Sequence, residues 1–214
     1  MSWINRYMSQ EELNTIEAAI QLAEAETRGE IVPVIVKRSS SVGHVPLSLT
    51  LLFLLLIIAV EIPYSEWLWV RPWVWAWPVV IVAIYLLSHV IAKIPFIQKI
   101  FVPERDEVDS VHQRAQLEFY ANKINRTENG TGILIFVSAM EKKAVILADE
   151  GIAKKLPADI WDSVLNDLRV HLHKGDWAAA YKAAISRSGE LLKTHFPLEG
   201  PLRNELTNHL IIKD

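Results

Sequence analysis

The sequence predicts an α/β fold: a three-layer α/β/α sandwich around a small mixed sheet, interrupted by a two-helix transmembrane hairpin. Three observations lead there. Short apolar runs of strand length alternate with helix-period patterns on both flanks of the chain, two long charge-free stretches lie between those flanks, and the N-terminal flank, with one helix and one strand, cannot bury its apolar faces alone. The predicted segments are 1–44 (first helix and strand), 45–94 (hairpin, with spans at about 45–62 and 73–92), 95–197 (the remaining elements) and 198–214 (a polar tail).

The N-terminal flank opens with Ser9-Gln10-Glu11-Glu12, a capping-box pattern. Leu13, Ile16, Ile20 and Ala23 then recur at helical spacing, with Gly29 placed to end the helix. Ile31-Val32-Pro33-Val34-Ile35-Val36 reads as a strand buried on both faces. Pro33, which has no N–H, points to an edge position.

Between Ser39 and Val60, and again between Pro72 and Ala92, no Asp, Glu, Lys or Arg occurs. About 20 helical residues cover the roughly 30 Å of a bilayer's hydrocarbon layer, so both stretches are expected to span it. Trp67, Trp69, Trp73, Trp75 and Trp77 crowd the connection, where indole rings favour headgroup depth. Lys37, Arg38, Lys93, Lys99 and Arg105 flank the pair while Arg71 alone lies in the connection. That bias predicts a multi-pass membrane protein with both flanks cytoplasmic. The spans hold no paired ionisable groups, which argues for an anchor rather than a pore.

After the hairpin, Val108, Val111, Ala115 and Phe119 form the stripe of a helix over about 104–126. Residues 132–137 and 144–148 read as a β-hairpin. Asp159–Lys174, ended by Gly175, and Asp176–His195, stopped by Pro197, read as two amphipathic helices. A lone strand and helix cannot bury their apolar faces, so the two flanks must fold together as a βαβ unit with parallel strands.

Composition narrows the function. A net charge of −3 lacks the basic surplus that nucleic-acid binding needs, and without cysteine there is no disulfide, Cys-ligated zinc or thiol nucleophile. No Asp-x-Asp-x-Thr follows a strand and no Gly-x-x-x-x-Gly-Lys-Ser/Thr loop is present. Asp149-Glu150-Gly151 places two carboxylates just after a buried strand, where α/β sheets often bind ligands, and can hold Ca²⁺ or Mg²⁺. The competing reading is an acid that caps the next helix. Glu104, Asp106, Glu107 and Asp109 suit a helix N-terminus on dipole grounds alone, and His171, His173 and Lys174 suit a C-terminus.

The order of elements, together with Gly29–Val36, Asn129–Ser138, Val145–Ile152, Gly175-Asp176-Trp177, Gly189–Leu192 and His195-Phe196-Pro197, resembles the TPM domain family of thylakoid-lumen phosphatase-like and bacterial membrane proteins. The resemblance implies an α/β/α sandwich and, through the family's bacterial membrane branch, a bacterial inner membrane as the location. For function it implies either an accessory factor for membrane complexes or a weak acid phosphatase or calcium binder. The leading expectation is a membrane-anchored, non-catalytic binding or assembly factor whose partners are the bilayer and a membrane protein or a second copy, with no nucleic acid. The alternative is a divalent-cation-dependent phosphatase or Ca²⁺-binding module centred on Asp149 and Glu150.

Overall fold

The computed structural model describes residues 3–40, 44–64, 77–94, 96–97, 104–198 and 204–214, with the backbone alone at 61–64 and 104. The elements are α1 (Gln10–Glu24), β1 (Glu30–Val36), α2 (Val45–Tyr64), α3 (Trp77–Ile91), α4 (Glu104–Ala121), β2 (Gly132–Ser138), β3 (Lys143–Ala148), α5 (Glu150–Ala153), α6 (Ile160–Lys174), α7 (Trp177–His195) and β4 (Ile211–Lys213). They divide into two compact units, Ser40–Glu107 and the remainder, Met1–Ser39 with Val108–Asp214.

In the larger unit four strands form one mixed sheet in the order β3-β2-β1-β4. β1 runs parallel to β2, from Glu30 opposite Gly132 to Val36 opposite Ser138. β2 and β3 are antiparallel, and β4 pairs parallel with Val34–Val36. Alternation along the strands sorts the core into two faces. Ile31, Ile35, Ile133, Ile135 and Val137 pack with Ile16 and Ile20 of α1, Val164 and Leu168 of α6, and Tyr181 and Ile185 of α7. Val32, Val34, Val36, Leu134 and Phe136 pack with Val111, Ala115 and Phe119 of α4. The sheet therefore lies between two helical layers.

Local signals place the helix ends. Ser9 Oγ accepts the Glu12 N–H and the Glu12 carboxylate accepts the Ser9 N–H, the reciprocal cap expected from the sequence. α6 ends at Gly175 in the left-handed conformation, and the Asp176 carboxylate caps α7 by accepting the Ala179 N–H. Gly29 does not end α1, which stops five residues earlier. It lies against α7 instead, where a Cβ would fall 2.6 Å from Leu192 Cδ1.

The expected edge position of the first strand is corrected. β1 is an interior strand, because the C-terminal segment adds β4 beside it. Pro33 is tolerated for a reason visible in the ladder. Glu30 N–H donates to Thr131 O on the β2 side, whereas Lys37 N–H donates to Lys213 O on the β4 side. By alternation Pro33 also faces β4, one residue before that pairing begins at Val34.

The smaller unit overturns the transmembrane hairpin and, with it, the expected localisation as a multi-pass inner-membrane protein with cytoplasmic flanks. Among the described residues no helix is long and apolar enough to cross a membrane. α3 has 15 residues, which rise about 22 Å against a hydrocarbon layer of roughly 30 Å. The charge-free part of α2, positions 45–60, reaches only about 24 Å before Glu61. Val45, Leu49 and Ala92 form a small core between these helices, with Phe53, Ile91 and Ile97 against it. Trp67, Trp69, Trp73 and Trp75 lie outside the described residues.

Candidate functional site

The turn at 127–131 and the start of α5 meet at the end of the sheet where β2 begins and β3 finishes. Asp149 N–H donates to Gly132 O, which places the Asp149 side chain at the N-terminus of α5. Its Oδ1 accepts the Glu150 N–H at 2.7 Å, so the acid caps the short helix. Its Oδ2 is buried with no hydrogen-bond partner among the described residues, in a residue only 9% exposed. A buried carboxylate oxygen in that state costs free energy unless something neutralises or binds it.

Two glycines make this corner possible. Gly130 has φ +63°, a conformation that L side chains resist, and a Cβ there would lie 3.6 Å from Asp149 Oδ2. A Cβ on Gly151 would fall 2.3 Å from Asn129 O and 2.7 Å from Gly130 O. The two segments around Asn129 and Asp149, far apart in the chain, are thus pressed together backbone to backbone.

Glu150, the second expected ligand, has a different environment. Its carboxylate is exposed and ion-pairs with Lys154 at 2.7 Å; hydrogen bonding to Lys154, followed by the charge of that ammonium, holds its pKa below the ordinary carboxylate value. Among the described residues no group of three or more His, Cys, Asp or Glu is arranged to hold a metal ion. Glu141, at the other end of β3, accepts from Ser138 Oγ and Ser39 N–H instead. His171 and His173 lie in the last turn of α6, where His173 Nδ1 contacts Arg169 O.

A second polar feature was not read from the sequence. A cavity of about 550 Å³ is lined by Glu17, Gln21 and Glu24 of α1, Thr27, Gly29 and Glu30, and residues of 204–209. Glu24 and Glu30 are 7% and 6% exposed. Glu24 Oε1 accepts the Ile31 N–H at 2.7 Å and Oε2 accepts from Asn208 Nδ2 at 2.7 Å. Glu30 accepts the N–H groups of Glu205 and Leu206. Burial, partly offset by the Ile31 hydrogen bond and reinforced by the charge of Glu30, pushes the Glu24 carboxyl up to about 8, and burial raises Glu30 as well. A signal was available: Glu24 continues the stripe Ile16, Ile20 at i+4, where a carboxylate must be buried.

Residues 98–191 match the family model of the TPM domain. This part of the chain is a TPM domain. The match contains α4, the β2–β3 hairpin and the Asp149 corner, while β1 and the C-terminal strand lie outside it. The NMR structure of BA42 protein from the psychrophilic bacterium Bizionia argentinensis is similar in fold, with a TM-score of 0.62, 21% identity and 99% of each chain covered. A search of curated proteins returned no match. The segments around Asn129 and Asp149, on which the TPM resemblance was read, are the ones that the fold brings into contact.

Proposed function

We propose that this TPM-domain protein is a non-catalytic binding and assembly factor for a membrane protein complex, with the α2–α3 hairpin as its contact surface. The observation that carries the reading is the apolar exposure of these helices. Leu47, Leu51 and Leu55 of α2, and Val79, Val82, Leu86 and Val90 of α3, are each more than half exposed. Single exposed apolar residues are ordinary, but rows of them mark interaction surfaces. Burying one such side chain against a partner contributes about 1.5–3 kcal/mol, so a few suffice for stable association.

The test is affinity capture in mild detergent with the full chain and with Leu51→Gln/Leu55→Gln, whose positions are exposed enough to leave the fold intact. The reading expects a stoichiometric partner, or a second copy, that the double variant loses. Recovery of no partner and no oligomer contradicts it.

The orphaned Oδ2 of Asp149 favours a second reading, a Ca²⁺- or Mg²⁺-binding module or divalent-cation-dependent phosphatase. Hard cations take oxygen ligands. Asp149 Oδ2 supplies one, and Glu150 would join only by leaving Lys154. A ligand that binds the folded state alone raises the melting temperature by mass action. This reading expects a saturable rise with Ca²⁺ or Mg²⁺, lost in Asp149→Asn, together with phosphate release that chelation abolishes if the module is catalytic. No shift at millimolar ion removes it.

A further inference from the structure

We propose that the outer edge of β3 is a self-association surface, at which two copies of this chain join by antiparallel β3–β3 pairing and merge their sheets into one. In the order β3-β2-β1-β4 the sheet has two edges, and they differ. β4 is three residues long and is followed at once by Asp214, the short and charged form that discourages pairing. β3 has six residues, and from Ala144 to Ala148 it contains no charge, proline or glycine. Ile146 and Ala148 pack toward one core face and Val145 and Leu147 toward the other, yet all of them stay partly exposed. Among the described residues no strand lies beside them on the outer side.

The ladder shows which backbone groups are on offer. Asp149 N–H donates to Gly132 O, and on the other side of β2 Glu30 N–H donates to Thr131 O. Even-numbered residues of β2 therefore bond to β3 and odd-numbered ones to β1, so that Lys143, Val145 and Leu147 are the β3 residues bonded to β2. The N–H and C=O groups of Ala144, Ile146 and Ala148 point outward. One register uses all of them: Ile146 opposite Ile146 of the second copy, with Ala144 opposite Ala148 on either side of the two-fold axis.

The same register matches the charges at the strand ends. Lys142 and Lys143 stand at the start of β3 and Asp149 and Glu150 follow its end. Antiparallel pairing about Ile146 sets Lys143 opposite Asp149 of the second copy, and the basic end of each strand beside the acidic end of the other. Val145 falls opposite Leu147 in the closer, non-hydrogen-bonded pairs, where two part-exposed side chains bury each other. A shift by two residues leaves an outward group of each copy unpaired and moves Lys143 off Asp149, and parallel alignment sets like charge beside like. Those contrasts select a second copy of this chain over an unrelated strand.

Because the chain has no cysteine, single cysteines read the register. Ile146→Cys brings its sulfur and that of the second copy to the two-fold axis, with Cα atoms about 5.5 Å apart and within disulfide range. Ala148→Cys leaves the two sulfurs out of step by about 13 Å along the strand. Under mild oxidation of the full chain in mild detergent, the first should form a covalent dimer and the second should run as a monomer on non-reducing gels. Without oxidation, sedimentation velocity should show the native chain as a dimer whose dissociation constant rises about tenfold or more in Ile146→Pro, because proline removes the outward N–H of the central pair from both copies and takes no bond from β2. Each result should be unchanged when Leu51→Gln/Leu55→Gln is added, which separates this contact from association through α2 and α3. A monomeric native chain, which would leave this edge to a strand of another protein, equal cross-linking of the two cysteine variants, or an Ile146→Pro dimer as tight as the native one overturns the proposal.

Discussion

Gly151→Ala places the sharpest demand on the Asp149 corner. In an exposed helix interior this change favours folding by up to about 1 kcal/mol, because alanine loses less backbone freedom. Here steric contact opposes it. The new Cβ would fall 2.3 Å from Asn129 O and 2.7 Å from Gly130 O, about 1 Å inside ordinary carbon–oxygen contact, against backbone rather than a side chain that can swing away. The 127–131 turn cannot retreat freely. Gly130 N–H is bonded to Thr127 O, Thr131 N–H to Thr127 Oγ1, and Thr131 Oγ1 to Arg28 O. Overpacking of this kind costs about 1–3 kcal/mol and exceeds the propensity gain. Urea denaturation should therefore show Gly151→Ala destabilised by about 1–2 kcal/mol at unchanged m-value. A variant as stable as the native chain would show that the two segments are not in backbone contact.

Two further perturbations probe the sheet and the buried acids. Ile135, fully buried at the centre of β2, should lose about 2–5 kcal/mol on replacement by alanine in thermal or chemical melts, whereas Leu117→Ala on the exposed side of α4 should change stability by less than about 0.5 kcal/mol. The raised pKa of Glu24 contributes stability that is fully present below about pH 4.5 and is lost as pH rises through about 8. Between pH 6 and pH 9 this predicts a loss on the order of 2–3 kcal/mol in urea titrations, and Glu24→Gln should flatten the profile.

How far the sequence revealed this structure depends on the range of each signal. The α1 capping box, the α6 stop at Gly175, the β2–β3 hairpin and the α7 cap at Asp176 are short-range devices, and the structure holds each within a residue or two of its expected place. β4 was missed because three residues following a polar tail carry no pattern; it exists only as a partner to a strand some 175 residues away. That same pairing turned β1 from an edge strand into an interior one. The hairpin was misjudged because the length of a charge-free run was equated with the length of a helix. The second run covers 72–92, but the helix described within it has 15 residues.

The site residues divide in the same way. Asp149 was legible because a carboxylate following a buried strand is conspicuous, and its capping role is local. That Glu150 would turn to Lys154 follows from their i, i+4 spacing, which the reading of Asp149-Glu150 as one ligand pair passed over. Glu24, Glu30 and Glu118 are buried carboxylates for which composition gives no cue, and only the helix or strand register shows that they face inward.

The central claim, that the α2–α3 hairpin is a contact surface for another protein, is tested most directly by quantitative affinity capture from mild detergent with the native chain beside Leu51→Gln/Leu55→Gln. The account predicts a stoichiometric protein partner or second copy on the native chain, and its loss from a double variant that melts at the native temperature. Absence of any partner, or equal recovery on both chains, would contradict it.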